Sequence, residues 1–237
     1  MADERLIVAL DVPALNDVKK LVEALDDTVN YYKVGMELYY RAGDPVIEYL
    51  ASRGKKIFLD LKLHDIPNTV AEGLCSLLRL RPVMLNIHAG GGYTMMATAA
   101  ERLRETAAKN GLTPPGLIAV TILTSIGEDD WSQLGYAGTI QDQVLRLATL
   151  AKKAGLDGVV ASPQEAAAIR TTCGKDFLIV TPGIRPADAA INDQNRIATP
   201  AVALRNGANH LVIGRPIRAA SDPKAAAMAI LNEMEGA

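Results

Sequence analysis

Charged side chains near the ends of the first three apolar runs of the sequence could form one reactive site. Asp11 follows the first run, Lys33 lies in the second, and the third reads FLDLKLHD, with Asp60 and Lys62 two residues apart. Residues two apart in a strand point to the same face. Burying both charges in a packed core would be costly unless they were fully paired, whereas at the mouth of a barrel they could act on a substrate. We therefore predict a catalytic charge network, with a purely structural buried ion pair as the alternative.

Other polar residues near these strand ends admit more than one interpretation. Asp65 lies three residues beyond Lys62, past the predicted strand end, and could turn inward or reach another subunit. His64 is interpreted as a packing or hydrogen-bonding residue, and His88 could face the mouth or support the structure. Trp131 lies in a long loop and is interpreted as the anchor of a lid. The sequence contains only three histidines, which gives little support to a histidine metal site.

Two arginines follow the seventh and eighth predicted strands, where this type of barrel often binds phosphate. The seventh strand runs into VTPGIRP, which contains Arg185, and the eighth runs into VIGRPI, which contains Gly214 and Arg215. A glycine lets the backbone approach a ligand closely, and a guanidinium can hold two phosphate oxygens at once. Gln194 could add a neutral donor. We predict a phosphate site here; the alternative is that both arginines lie on the surface in ordinary turns.

Alternating strand and helix patterns predict the frame that would carry these residues. Short apolar runs rich in β-branched residues alternate with segments of helical periodicity, which is typical of consecutive βαβ units. The predicted strands are Leu6–Val12, Tyr31–Gly35, Lys56–Leu63, Met84–Ala89, Leu117–Leu123, Gly158–Ala161, Leu178–Thr181 and His210–Ile213. The predicted helices include Pro45–Arg53, Val70–Arg79, Met95–Asn110, Ile140–Ala154, Gln164–Arg170 and Pro223–Met234, the last with Asp222 as its N-cap.

Eight such units favour a (β/α)8 TIM barrel forming a single domain over residues 1–237, a length typical of this fold. The competing architecture is an open, doubly wound sheet. Such a sheet would be expected to carry a glycine-rich dinucleotide motif after its first strand, and LDVPALND has none. Because the loops after barrel strands build the active site, two long loops, 124–138 and 183–200, are candidate lids.

Composition narrows the range of partners and compartments. The formal net charge is −2 and aromatic residues make up 4% of the chain, so neither a nucleic acid nor a membrane surface is an expected partner. The N-terminus has acidic residues and only a short apolar run, unlike a secretory signal, and no segment has the roughly 18 apolar residues of a membrane span. Cys75 and Cys173 have no metal-binding or redox spacing and are expected to be reduced thiols. We therefore expect a cytoplasmic protein.

The order of these motifs resembles the orotidine 5′-monophosphate decarboxylase family. The resemblance rests on FLDLKLHDIPNT, AVTILTS, TPGIRP, DQNR and VIGRPI, together with Asp11 and Lys33, and extends from the first predicted strand to the eighth. The D-x-K-x-x-D pattern alone marks only a wider superfamily, whereas the continuous LDLKLHDIPNT with TPGIRP and IGRPI is highly specific. The resemblance implies decarboxylation of orotidine 5′-monophosphate to uridine 5′-monophosphate, the last step of pyrimidine nucleotide synthesis, without a metal or cofactor.

The resemblance also implies a charge network of Lys33, Asp60, Lys62 and Asp65. Loss of CO2 from C6 of the pyrimidine leaves an electron pair that the ring cannot readily delocalise. A fixed ammonium at that point stabilises the developing charge, and Lys62 would then donate the proton to C6. Carboxylates around a lysine favour its charged form, which is the part that Asp60 and Asp65 would play.

Further residues would bind the substrate, as the resemblance implies. Asp11 and Lys33 would contact the ribose hydroxyls. Asp65 and Thr69 would reach the site of the neighbouring subunit in a homodimer, and Thr124 with Ser125 would begin the lid over the pyrimidine. The residues that would grip the phosphate and the pyrimidine are Arg185, Gln194, Gly214 and Arg215.

Two other functions compete with this interpretation. Relatives in the wider superfamily, such as sugar-phosphate decarboxylases and aldolase-type synthases, use a divalent metal and place an acidic ligand where this chain has Lys33. A lysine at that position would repel the metal. The second alternative is a phosphate-binding barrel that acts as a sensor or scaffold, which would not need Lys62 and its carboxylates.

Overall fold

Eight parallel strands form a closed barrel in the computed structural model, which describes residues 2–186 and 198–236. The strands pair in chain order, and the first also pairs with the last. The predicted (β/α)8 fold is therefore confirmed. The strands are β1 (Leu6–Ala9), β2 (Tyr31–Gly35), β3 (Lys56–Leu63), β4 (Met84–His88), β5 (Gly116–Val120), β6 (Gly158–Val160), β7 (Leu178–Thr181) and β8 (His210–Ile213).

At least one helix follows each strand and covers the outside of the barrel. The helix at the C-terminus begins where predicted, because the Asp222 side chain accepts a hydrogen bond from the backbone N of Ala225 at 3.0 Å and Pro223 takes the first helical position. The helices within the described ranges are α1 (Leu15–Leu25), α2 (Met36–Ala42), α3 (Asp44–Ser52), α4 (Pro67–Leu77), α5 (Gly92–Lys109), α6 (Glu128–Leu134), α7 (Ile140–Lys153), α8 (Ala166–Cys173), α9 (Pro200–Arg205), α10 (Arg215–Arg218) and α11 (Pro223–Glu235).

The strands are buried on both faces, which explains their nearly continuous apolar sequences. In β1, Leu6 and Val8 pack in the main core between strands and helices, whereas Ile7 and Ala9 belong to a second cluster inside the barrel. The other members of the inner cluster are Tyr31, Phe58, Met84, Ile118, Val180 and Val212. This apolar filling leaves the mouth, at the carboxyl ends of the strands, as the place for polar groups.

Several strands end earlier than predicted, and the difference falls at the mouth. β1 ends at Ala9 instead of Val12, and β5 covers Gly116–Val120 instead of Leu117–Leu123. β4 and β6 are each one residue shorter than predicted. Apolar residues continue past these ends because they line the cavity or pack in the main core, so hydrophobicity alone does not mark where strand pairing stops.

The loop after β5 is more ordered than its sequence indicates. It contains α6, and Trp131 of that helix is buried, donates its indole N–H to the carbonyl of Gly138 at 2.9 Å and stacks on Tyr136 with ring centroids 4.9 Å apart. Trp131 therefore anchors this loop through these contacts and by packing in the main core. In the loop after β7, Ile184 forms a bridge with Ala198.

Both cysteines are free thiols, as expected, and Cys173 lies at the end of α8. Within the residues that the structure describes, no helix combines the length and apolar character needed to cross a membrane.

Candidate active site

A cavity of about 300 Å³ opens at the carboxyl ends of the barrel strands. Its lining combines polar and charged side chains with an apolar wall. Its lining residues are Ala9, Asp11, Lys33, Phe58, Asp60, Lys62, Val120, Ile122, Leu123, Thr124, Ser125, Val160, Pro182, Gly183, Arg185, Val212, Gly214 and Arg215.

Four of these side chains form a row of alternating charge. The ammonium of Lys33 lies 3.1 Å from Asp11 Oδ1 and 3.2 Å from Asp60 Oδ2. Asp60 Oδ1 in turn lies 2.7 Å from the ammonium of Lys62. The structure thus brings together the residues that the sequence placed at three separate strand ends, and Lys62 is the cation at the end of the row.

Burial and neighbouring charges act in opposite directions on this row. Burial alone would raise the pKa of Asp60, but the ammonium groups of Lys33 and Lys62, with hydrogen bonds from Lys62 and Asn86, outweigh it and lower that pKa. Burial would likewise lower the pKa of Lys33, but Asp60 and Asp11 outweigh it and raise that pKa. Both groups therefore stay ionised through the neutral range.

The pairing of β3 with β4 is irregular at the charged residues. Leu59 pairs with Leu85, but the next pair is Leu63 with Ile87. Lys62 has a φ of 51°, in the left-handed region that a lysine rarely adopts. The side chains of Asp60 and Lys62 do meet, as predicted, although an ordinary pleat is not what brings them together.

Asn86 is a buried polar residue of the site that sequence reasoning missed. Its side chain is adjacent to both reactive groups: Nδ2 donates to Asp60 Oδ1 at 2.6 Å, and Oδ1 accepts from the backbone N of Lys62 at 2.8 Å. The sequence signal that could have identified Asn86 is a single amide within the otherwise apolar run MLNI of β4.

Gly35 is a second missed residue, and its role is to leave space. A Cβ atom at this position would lie 2.9 Å from the ammonium of Lys33 and 3.6 Å from Asp11 Oδ1. Carbon and nitrogen atoms do not approach so closely without displacement, so a side chain at position 35 would require the Lys33 ammonium to shift.

The two arginines predicted to bind phosphate both line the cavity, on the loops after β7 and β8. Arg185 is buried, and its Nη1 donates to the carbonyl of Ile184 at 2.9 Å, which fixes the guanidinium against its own loop. Gly214 and Arg215 follow β8 directly. Thr124 and Ser125 line the same cavity from the loop after β5. An anion in the cavity would therefore meet two guanidinium groups and two hydroxyls.

The remaining predicted site residues are Asp65, Thr69 and Gln194. Asp65 and Thr69 are exposed and do not line the cavity of their own chain, and Asp65 accepts a hydrogen bond from the backbone N of Ile66 at 2.6 Å. Gln194 lies outside the described residues.

The rings of the two histidines near the mouth lie against each other, with centroids 5.3 Å apart and planes tilted by 34°, and neither lines the cavity. His64 is exposed at its position beside His88. β3 ends at Leu63, so His64 lies just beyond the strand, and its contact with His88 agrees with a packing role. Burial, with the nearby His64 and Lys62, lowers the pKa of His88. In the described part of the chain, no three histidine, cysteine or acidic side chains cluster closely enough to hold a metal ion.

Comparison with known proteins gives matches along the whole chain. Residues 4–230 match the model of the orotidine 5′-phosphate decarboxylase / HUMPS family. The orotidine 5′-phosphate decarboxylase of Nitrosococcus oceani is 53% identical over 234 residues, which cover 99% of each chain. That of Moorella thermoacetica is 51% identical over 235 residues, which cover 99% of this chain and 93% of the relative.

A solved structure agrees with these matches. The crystal structure of orotidine 5′-phosphate decarboxylase from Lactobacillus acidophilus superposes with a TM-score of 0.85 at 44% identity and covers 98% of this chain and 99% of its own. The family match, the sequence relatives and the solved structure agree over the whole barrel. The chain therefore belongs to the orotidine 5′-phosphate decarboxylase / HUMPS family.

Proposed function

We propose that this chain decarboxylates orotidine 5′-monophosphate to uridine 5′-monophosphate, and that Lys62 supplies the proton. Relatives of about 50% identity over the full chain carry the name of this activity. The observation that carries the mechanism is the row of alternating charge, in which Asp60 lies between Lys33 and Lys62 at 3.2 Å and 2.7 Å.

The reaction requires a cationic group close to C6 of the pyrimidine, where negative charge develops. The bond between C6 and the carboxylate breaks, its electron pair stays on C6, and CO2 leaves. A proton from the Lys62 ammonium then forms the new C–H bond, and water later restores the proton to the lysine. Because Asp60 already fixes this ammonium, no reorganisation is needed as negative charge develops.

The apolar wall of the cavity supports the same chemistry. Ile122, Val160 and Val212 line the cavity together with the charged row. Apolar side chains exclude water from the substrate ring and lower the local dielectric constant, which strengthens the attraction between the ammonium and the developing carbanion.

The remaining polar residues would bind the substrate away from the reacting carbon. Asp11 and Lys33, which are paired at 3.1 Å, would hold the ribose hydroxyls, and Thr124 with Ser125 would contact the pyrimidine. The phosphate and the pyrimidine would be gripped by Arg185, Gln194, Gly214 and Arg215. Binding energy at the phosphate contributes to catalysis by holding the ring and the charges in alignment.

We also propose a cytoplasmic homodimer in which Asp65 and Thr69 serve the partner's site. The exposure of Asp65 and Thr69, near the mouth but outside the cavity of their own chain, supports this role. In that arrangement Asp65 would join the charged row from across the interface.

A metal-dependent reaction is the chemical alternative, and Lys33 argues against it. The ammonium of Lys33 lies 3.2 Å from Asp60 and would repel a cation bound there. We expect activity to survive thorough chelation. Loss of activity that a divalent metal restores would contradict the proposal.

Ultraviolet absorbance tests the activity directly, because the ring chromophore changes when the carboxylate is lost. We expect the wild-type chain to consume orotidine 5′-monophosphate and Lys62→Ala to lose nearly all turnover while keeping its circular dichroism spectrum. Lys175→Ala, which removes an exposed lysine, is the matched control and should match the wild type. A wild-type chain that binds the nucleotide without consuming it would instead support the non-catalytic barrel.

A further inference from the structure

We propose that Asn86 is a positioning residue that holds both the carboxylate of Asp60 and the backbone of Lys62 in their reactive arrangement. The inference rests on the proposed function, because it assigns Asn86 to the same reaction. It concerns the amide group of one β4 side chain, which contacts the two central charged residues but does not itself line the cavity.

The register of β3 and β4 shows why a side chain is needed here. Between the pairs Leu59–Leu85 and Leu63–Ile87, β3 has the three residues 60–62 where β4 has only Asn86. Such a bulge interrupts the regular ladder of backbone hydrogen bonds. The side-chain Oδ1 of Asn86 accepts the N–H of Lys62 at 2.8 Å and thus replaces a ladder partner inside the bulge.

The backbone of Lys62 needs this support. Its φ of 51° is disfavoured for a residue with a side chain, and such a conformation persists only where the surrounding structure fixes it. The hydrogen bond to Asn86 ties the Lys62 backbone to the neighbouring strand at the residue that carries the proton donor.

The other end of the same amide fixes the carboxylate. Nδ2 of Asn86 donates at 2.6 Å to Asp60 Oδ1, the same oxygen that contacts the Lys62 ammonium at 2.7 Å. A closed ring of interactions results: the Lys62 backbone N–H, the Asn86 amide, the Asp60 carboxylate and the Lys62 ammonium. The partners also fix the orientation of the amide, since only its oxygen can accept the N–H and only its nitrogen can donate to the carboxylate.

Burial makes this arrangement specific for asparagine. Asn86 is 2% exposed, so water does not readily replace either bond. The site requires one acceptor and one donor on a short side chain. Aspartate keeps the acceptor and loses the donor, and alanine loses both.

The first test compares two asparagines that make the same kind of bond. We expect Asn86→Ala to lower kcat about 100-fold, the effect of a displacement on the order of 1 Å in a catalytic group. KM should change by less than about threefold, because the groups that bind ribose and phosphate are untouched. The control is Asn209→Ala: Asn209 Oδ1 accepts the backbone N–H of Ile179 at 2.8 Å at the opposite end of the barrel.

The control separates positioning from stability. Both variants lose a hydrogen bond between an asparagine side chain and a neighbouring strand, so both should unfold at lower urea concentration, while Asn209→Ala keeps kcat within about twofold of the wild type. Wild-type kcat in folded Asn86→Ala, or an equal fall in kcat for both variants, would overturn the proposal.

A second variant tests the donor alone and covers the case in which Asn86→Ala does not fold. In Asn86→Asp the introduced carboxyl keeps the acceptor for Lys62 but meets Asp60 as a second carboxylate. Two adjacent carboxylates share a proton more readily, and the protonated carboxyl can donate to Asp60 as the amide does. The ratio of kcat in Asn86→Asp to that of the wild type should therefore rise as the pH falls from 8 to 5. A ratio that is flat over this range contradicts donation to Asp60 as the role of Asn86.

Hydrogen exchange at the Lys62 amide gives a readout that does not depend on activity. We expect slow exchange in the wild type and fast exchange in Asn86→Ala, with the Ile179 amide unchanged. If the wild type consumes no orotidine 5′-monophosphate, the proposed function fails, and exchange still shows whether Asn86 fixes this backbone. If the wild type is active but the Lys62 amide exchanges at the same rate in both proteins, the positioning role fails and the function stands.

Discussion

Neutralising Asp60 should destabilise the fold far more than neutralising a surface carboxylate. Asp60→Asn keeps the shape of the side chain but leaves the ammonium groups of Lys33 and Lys62 without the charge between them. At 3.2 Å and 2.7 Å the two attractions are about 5 and 6 kcal/mol for an effective dielectric constant near 20, before desolvation is subtracted. The Asp60 side chain is only 9% exposed, so Asp60→Asn should lower the free energy of unfolding by the amount typical of a broken buried ion pair, about 3–5 kcal/mol.

Glu4→Gln is the matched control for this change. Glu4 pairs with Lys56 at 2.5 Å, but the two side chains are 55% and 43% exposed. Water screens such a pair, and its loss should cost less than about 1 kcal/mol. The comparison therefore separates the effect of burial from the effect of removing a charge.

Urea unfolding followed by circular dichroism measures both variants, at one protein concentration in case the chain assembles. The pKa of Asp60 is lowered in the folded state, so its contribution is present above about pH 4 and is lost as the pH falls through the folded pKa. The difference between wild type and Asp60→Asn should be constant from about pH 5 to 9 and narrow below pH 4. A loss at pH 7 no larger than that of Glu4→Gln would refute the charge-network account.

Three further predictions concern the phosphate, the subunit interface and pH. Arg215→Ala should lower kcat/KM for the phosphorylated substrate by about 100-fold or more, whereas exposed Arg205→Ala should match the wild type; a mild effect would count against a phosphate role. Mixing inactive Lys62→Ala and Asp65→Ala subunits should restore about a quarter of wild-type activity, because half of the dimers are mixed and each mixed dimer has one intact site of two. No recovery of activity would argue against a site shared between subunits. Burial lowers the pKa of His210, so on acidification the imidazole becomes protonated in the unfolded state before it does in the folded state. The free energy of unfolding should therefore fall as the pH drops below about 6.5. If the free energy of unfolding of His210→Gln depended on pH as steeply as that of the wild type, this prediction would be contradicted.

The fold could be predicted from the sequence because its periodic signals are strong. Tyr31–Gly35, Lys56–Leu63, Leu178–Thr181 and His210–Ile213 form strands with the predicted bounds. The errors lie at the mouth, where β1 and β5 end early. After β1 the apolar residues Leu10 and Val12 pack in the main core, and after β5 Ile122 and Leu123 line the cavity. A pattern of hydrophobicity therefore cannot separate a strand from the loop that follows it.

The candidate site was predictable where charge signalled it and not where backbone geometry decided it. Asp60 and Lys62 stand out as charges in an apolar run, and the structure pairs them. The bulge at Lys62 has no such signal, because no glycine marks the left-handed residue. Asn86 was missed because an amide in a strand is informative only once its two partners are known.

The pairing of β1 with β8 has a consequence for how the chain folds. Leu6 and Leu211 are neighbours in the sheet, so the ring cannot close until nearly the whole chain has left the ribosome. Contacts between such distant residues form late, since a long loop must first be closed. The charged row and Asn86 come from the first half of the chain, whereas Arg185 and Arg215 come from its last quarter. A nascent chain therefore carries the reactive charges long before it can grip a phosphate, and closing the ring both completes the sheet and joins the two halves of the site.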